Sequence, residues 1–429
     1  MQNIFDPVLK LIRAQEKPAF LDGSDSVVPY YQGLSIGNLP TSICHWLDCS
    51  LENNHTLLPL IMDQFEDKYE HVILLLVDGL TLSVFKNFYE SLTVVEFENK
   101  SGSILENNTF CPLTSIVPST TSTALTTLWT GEQPIKHGII GYELFLKEFG
   151  CIINMITHSP AAFLDKKATI ASAGFNPIDF LPMPTLGTHF KNHGVRSQVF
   201  QHQSISQSGL SKMLYKDVDS HSFRTENDLW YSVRESIQKQ DGLRTFTFIY
   251  WGELDTLSHR FGPQHPRLMA ECNTFANLLL QFISTVPSNK SKTLFILTAD
   301  HGQIPTKTLP EYDLHAHPGL TDHLIMDPTG ESRLPFLFIK KEREQDVNQY
   351  LSKHWSSQFN LIPSEEFLKS GMLGEGTPYT GTIDRLGHSV VIPKDDAFWW
   401  WVKKENVLHG RHGGLSPQEM LVPFFAIEL

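Results

Sequence analysis

From Val72 to Val77 every residue of the segment HVILLLVDG (71–79) is apolar, and the run stops at Asp78-Gly79. A strand with one face in water alternates polar and apolar residues. One that does not alternate is buried on both faces, as in a parallel sheet covered by helices. Gly194–Phe200, Thr245–Tyr250 and Thr293–Leu297 read as further strands, separated by helical segments at Ser122–Trp129, Asp228–Gln238 and Pro266–Val286. This alternation predicts an α/β fold with a central, mainly parallel sheet flanked by helices. Residues 1–60 are weakly periodic and read as an N-terminal extension packed on the core, which comprises 61–303 and 409–429. Residues 304–408, rich in Gly, Pro, Asp and His, read as an inserted lid or subdomain that contributes in part to the core. They include a strand at Arg333–Lys340 and a helix at Glu342–His354.

Composition narrows the function classes. The chain has 429 residues and a formal charge of −13, which argues against nucleic acid as a structural partner. The balance does not exclude small phosphorylated molecules, because bound cations can supply local positive charge. Five cysteines without a CxxC pair suggest neither a disulfide framework nor a cysteine-based zinc cluster. No stretch reaches the ~18 apolar residues of a membrane span, and the start, MQNIFDPVLKLIRAQEK, places charges in its first turns. The expectation is a soluble cytoplasmic protein with no membrane partner.

Ligands of open α/β sheets bind outside the carboxyl ends of the strands. Asp78 follows HVILLLV, Asp255 and His259 follow FTFIYWGEL, Asp300 and His301 follow LFILTA, and His412 lies in RHGGLS. Each alone has an ordinary reading: an Asp-Gly turn, an i,i+4 helix pair, a loop. Together they are three Asp and three His at strand ends, a donor set suited to two zinc-like divalent ions. The segment PSTTSTALTTLWTG adds a nucleophile. Ser119, Thr120 and Thr121 precede an Ala/Leu/Thr helix where N-caps occur. A capping cluster is the ordinary explanation. The same place also offers free N–H groups and the positive end of the helix dipole to an anionic phosphoryl group.

VDGL (77–80), Pro118–Gly131 with its TG and the HGI that follows, DTLSHRFGP (255–263), ADHG (299–302) and HGG (412–414) resemble the alkaline phosphatase superfamily. Within it they resemble the type I phosphodiesterase/nucleotide pyrophosphatase branch, in the right order over about residues 71–425. The resemblance implies an alkaline-phosphatase-like core and, as nucleophile, Thr121, nine positions before the Thr of TG. It implies one zinc held by Asp255, His259 and His412, and a second held by Asp78, Asp300 and His301 with Thr121 Oγ1. Manganese is the alternative metal. The activity implied is hydrolysis of phosphate diesters or pyrophosphates, nucleotide-type, through a covalent phosphothreonine.

Two positions depart from the family pattern. Tyr142 stands where the phosphodiesterases carry a phosphate-binding asparagine, and Ser122 where many nucleotide-cleaving members carry a base-stacking phenylalanine. A sulfatase is excluded because Cys111 is followed by PLTS. A phosphomonoesterase or phosphonate hydrolase of the same superfamily is the alternative. A non-catalytic binding module is a remoter one, since all seven site positions are filled. His409 and His412 both precede a glycine; His412 is favoured because Gly413-Gly414 permits close approach and a buried strand follows. The lid, which contains His315, His317 and His323 and the aromatic run Phe398–Trp401, is expected to shape a leaving-group pocket, with plain packing the favoured reading of the aromatic run.

Overall fold

The computed structural model describes residues 4–52, 54–92, 108–163, 170–239, 242–285, 292–355 and 358–429. His71–Val77 is a strand buried at every position and lies in the middle of a seven-stranded sheet. The sheet order is Asn108–Thr114, Leu421–Glu428, Thr293–Thr298, His71–Val77, Arg244–Trp251, Val195–His202, Asp219–Phe223. The central strand pairs in parallel with both neighbours, Val77 opposite Trp251 and Leu76 opposite Thr298. Leu421–Glu428 runs antiparallel to both its neighbours, so the sheet is mixed but mainly parallel.

That one reversal has a positional consequence. Leu421 pairs with Thr114, and Phe424 with Thr298, so the last strand begins at the carboxyl end of the others. The loop that feeds it, carrying His412, therefore arrives at the same end of the sheet as Asp78, Asp255 and Asp300.

The expected helices are found at Thr121–Thr130, Glu226–Gln238 and Pro266–Thr285; the last predicted residue of the third, 286, lies outside the described residues. Gly131 (φ 71°) ends the first of them in the left-handed conformation. The N-terminal segment lies against the core. Val8 and Ile12 of helix Phe5–Arg13 are buried, Tyr30 N–H donates to Thr114 Oγ1 (2.9 Å), and Val27 N–H donates to Leu415 O (2.8 Å).

A second seven-stranded sheet, with antiparallel pairings, joins strands between 329 and 393 to others between 143 and 160. The segment 304–408 thus shares a sheet with residues earlier in the chain. It also has its own apolar cluster, built on Tyr312, Leu314, Trp355, Phe398 and Trp399.

Arg333 ties this layer to the C-terminal loop. Its guanidinium is 1% exposed and donates to both carboxylate oxygens of Glu419 (3.0 and 2.8 Å). Glu419 also accepts from Gly414 N–H (2.9 Å) and closes a capping box with Ser416. Burial alone would push the Glu419 carboxyl up, but Arg333 and the Ser416 and Gly414 hydrogen bonds hold it below the ordinary value of 4.5. Glu419→Ala leaves a buried guanidinium unpaired and should cost about 3–5 kcal/mol in chemical denaturation. Because the folded carboxyl is depressed, its contribution is present above pH 4.5 and lost as the pH falls through the folded value. Glu419→Gln should remove that component of the acid sensitivity.

Candidate active site

The sheet register brings the strand-end residues together. Asp78 N–H donates to Trp251 O (2.9 Å) across the continuing ladder. Gly79 (φ 72°) turns the chain at once, and a Cβ there would sit 3.0 Å from the Asp255 backbone. Its N–H donates to Asp300 Oδ1 (3.2 Å), which also accepts from His301 N–H (2.9 Å). Asp255 and His259, one turn apart on helix Glu253–Phe261, bring Asp255 Oδ1 to 3.4 Å from His259 Nε2 and 3.8 Å from His412 Nε2.

The three histidines are oriented alike. His259 Nδ1 is bonded to Gly410 O (2.9 Å), His412 Nδ1 to Ser119 O (3.0 Å) and His301 Nδ1 to Gly302 O (3.1 Å). A ring N–H given to a carbonyl fixes the tautomer and leaves Nε2 as a lone-pair donor facing inward. The His301 and His412 rings stack at 3.8 Å between centroids. Burial, then the neighbouring His301 and His259, hold His412 well below the usual histidine range, so it presents a lone pair.

The carboxylates carry the opposite strain. Asp78 is 2% exposed and Asp300 fully buried, and Asp78 Oδ1 and Asp300 Oδ2 have no hydrogen-bond partner. Burial, with the nearby carboxylates, pushes both carboxyls above the usual range. Orphaned carboxylate oxygens facing three imidazole lone pairs fit a divalent cation, which would satisfy all of them. At this end of the sheet, two groups have donor atoms within 4.8 Å of one another: Asp255, His259, His412 and Asp78, Asp255, His301. The first matches one expected trio. In the second, Asp255 stands where Asp300 was expected, although Asp300 Oδ2 lies 3.4 Å from His301 Nε2 and faces the same space.

Thr121 is the first residue of its helix, and its Oγ1 lies 3.3 Å from Asp78 Oδ2 and 3.2 Å from His301 Nε2. Ser119 Oγ donates instead to Gly414 O (2.8 Å), and the Thr120 side chain is bonded to Glu331. Of the three hydroxyls, Thr121 faces the cluster. His409 lies outside it: its N–H donates to His259 O (2.8 Å), and its side chain lines a separate hollow with Arg260, Phe261 and His265. Gly413, next to His412, has φ 108°, and a Cβ there would lie 2.6 Å from the Glu331 side chain.

Several residues of the site are not singled out by the sequence. Tyr250 OH donates to Asp78 Oδ2, and Gln303 Nε2 to Asp255 Oδ1. Tyr250 is a lone hydroxyl near the end of an apolar strand, and Gln303 directly follows ADHG, so position is the only signal either gives. Glu331 has none. It is buried beside Tyr142, whose N–H it accepts (2.9 Å), and burial pushes its carboxyl up to about 8.

A pocket of about 710 Å³ opens beside Asp255, His259 and His412, lined by Tyr142, Glu331 and the run Trp399–Trp401. Those tryptophans are largely buried and also pack the second core. The expected histidines do not line it. His315 pairs with Asp313 (2.7 Å) and His317 with Tyr350 OH (2.9 Å), and His323 is also absent from the lining. Ser122 is buried, its Oγ donating to Gly141 O (2.9 Å).

The sequence model of the type I phosphodiesterase / nucleotide pyrophosphatase family matches residues 72–414. No curated protein matches the chain significantly. Among solved structures it is similar to murine ectonucleotide pyrophosphatase/phosphodiesterase 5 (TM-score 0.58, 16% identity, 83% of this chain and 87% of that one). It is similar also to phosphonoacetate hydrolase from Sinorhizobium meliloti in complex with phosphonoformate (TM-score 0.57, 16% identity, 82% and 89%). At these identities the likeness establishes the shared fold. Among the described residues no helix is long and apolar enough to cross a membrane.

The buried carboxylates give a testable signature of a cation site. Asn at position 300 keeps the Oδ1 that accepts from Gly79 and His301 while removing a buried charge. In chelator-treated protein at pH 8, Asp300→Asn should therefore melt higher than wild type. Titration with divalent ions should show weaker binding to the same variant.

Proposed function

The chain belongs to the type I phosphodiesterase/nucleotide pyrophosphatase family and is a hydrolase, and we propose that it cleaves small phosphate diesters or pyrophosphates by attack of Thr121. The observation that supports this reading most directly is the Thr121 hydroxyl within 3.3 Å of Asp78 and 3.2 Å of His301, at the N-terminus of a ten-residue helix. The N–H groups of the first turn and the helix dipole favour the phosphoryl oxygens there. Asp78 accepts the Thr121 hydrogen bond and aims Oγ1 at the phosphorus. Two divalent ions, zinc before manganese, held by Asp255, His259 and His412 and by Asp78, Asp300 and His301 with Thr121, would supply Lewis-acid stabilisation of charge on the attacking and leaving oxygens.

Attack by Thr121 forms a phosphothreonine ester and expels the leaving group into the pocket lined by Tyr142 and Trp399–Trp401. Water entering from the side of Asp255, His259 and His412 then cleaves the ester. Tyr250 and Gln303 hold Asp78 and Asp255 in place, which keeps the geometry fixed through both steps. The volume of about 710 Å³ favours a substrate with a sizeable leaving group, such as a nucleoside, over a small phosphonate or monoester. In this reading residues 304–408 act as a lid, and the five free cysteines suit a reducing cytoplasm.

Thr121→Ala should lower turnover by at least about a thousandfold and bind as many ions per chain as wild type by elemental analysis. Thr120→Ala, with its side chain on Glu331, should lose less than about tenfold. Comparable losses would point to the wrong threonine. His412→Ala should bind about one ion per chain fewer than wild type, whereas His409→Ala keeps the wild-type number. A nucleoside p-nitrophenyl phosphate diester, p-nitrophenyl phosphate and phosphonoacetate assayed side by side should rank the diester first. Preference for either of the others would select the monoesterase or phosphonate reading.

A further inference from the structure

The opposite end of the sheet holds a second group of metal-capable side chains, formed by residues far apart in sequence. Cys44 lies in the last turn of helix Leu39–Trp46 and is wholly buried. Just beyond it the chain reverses through Asp48 (φ 52°), so that Cys49 N–H donates to Cys44 O (2.8 Å) and Cys49, 3% exposed, returns beside Cys44. His189, half-buried on helix Leu186–Asn192, approaches from the other side, its Nε2 bonded to Cys49 O (2.6 Å). Arg244, at the start of its strand, locks the two pieces together. Its guanidinium donates to Leu47 O (2.6 Å), Asp48 O (2.9 Å) and His193 O (2.9 Å). The two thiol sulfurs and a ring nitrogen of His189 all lie within 4.8 Å of one another.

We propose that Cys44, Cys49 and His189 bind one soft divalent ion, zinc above all, as a structural clasp between the N-terminal segment and the core. Two sulfurs and an imidazole select zinc or a copper-like ion over magnesium, calcium or manganese. In tetrahedral zinc sites donor atoms stand roughly 3.5–3.8 Å apart, so the trio has at most about 1 Å to close, within reach of side-chain rotation. Water reaching the half-buried imidazole completes the coordination, and the thiol protons leave as the ion binds.

The site is independent of the phosphoryl chemistry. Arg244 and Trp251 bound one strand, and seven steps of ~3.3 Å put the two ends about 23 Å apart. The absence of a CxxC pair leaves this grouping invisible in the sequence. Its cysteines are five positions apart, and its histidine lies 140 residues beyond the second.

Cobalt(II) is the probe. Full-length protein, purified reduced, stripped with chelator and titrated with cobalt(II), should develop thiolate-to-cobalt charge-transfer absorption that plateaus at the intensity of one thiolate-bound ion per chain. The band should persist in an Asp255→Asn/His412→Ala variant, where the opposite end is impaired, and in Cys111→Ser. It should vanish in Cys44→Ser and Cys49→Ser, whose hydrolase activity stays near wild type, and His189→Ala should need at least about tenfold more cobalt. A reduced wild-type protein without the band overturns the proposal, whatever the variants do. So does a band that survives both cysteine substitutions, or intact mass showing a Cys44–Cys49 disulfide in protein kept under reducing conditions.

Discussion

Carboxyl groups with unpaired oxygens, buried and crowded together, are among the costliest features a fold can carry. Asp78 Oδ1 and Asp300 Oδ2 are such oxygens, and burial and the neighbouring carboxylates push both groups above their ordinary range. Backbone holds them there. Asp78 continues the ladder to Trp251, Gly79 and His301 N–H groups fix Asp300, and Ser115 Oγ donates to Asp300 O (2.5 Å). Side chains on flexible loops would swing out to water. These cannot, because the strands behind them are buried at every position.

The rest of the architecture bears on that crowding. The single antiparallel strand brings the C-terminal loop to the carboxyl end of the sheet, and Ser119 stitches this loop to the nucleophile segment through Gly413 N–H (3.2 Å) and Gly414 O (2.8 Å). Arg333 and Glu419 anchor the same loop to the second sheet. His412 thus depends on three separate parts of the chain for its position. The Asp255 pair hangs on a helix that begins directly after its strand, so its position follows from the same register.

The sheet was legible in the sequence because its strands are apolar on both faces: His71–Val77 and the strands near 245 and 293 lie where the runs predict them. The strand-end acids and histidines were legible because parallel strands deliver their next residues to one place. What the sequence could not reveal depends on contacts without local pattern. Glu331, Tyr250 and Gln303 reach the site through distances in space that no spacing encodes. The lid histidines illustrate the reverse case. His315 and His317 belong to the segment expected to shape the pocket, but their ring nitrogens are bonded to Asp313, Tyr350 and Glu311 O, and neither lines it.

The two departures from the family pattern also have a physical sense together. Ser122 spends its hydroxyl on Gly141 O inside the helix packing, so the place next to the proposed nucleophile offers no ring for stacking. Tyr142, by contrast, is 43% exposed and stands at the mouth of the pocket, with Glu331 fixing its backbone. Tyr142 and the Trp399–Trp401 run supply the aromatic lining of the pocket. In the proposed reading, recognition of the leaving group rests on a layer with its own core, while the reacting groups rest on the central sheet. A change in the second layer can alter what is bound without disturbing the register that forces the carboxylates together, and this separation lets one set of strand ends serve different substrates.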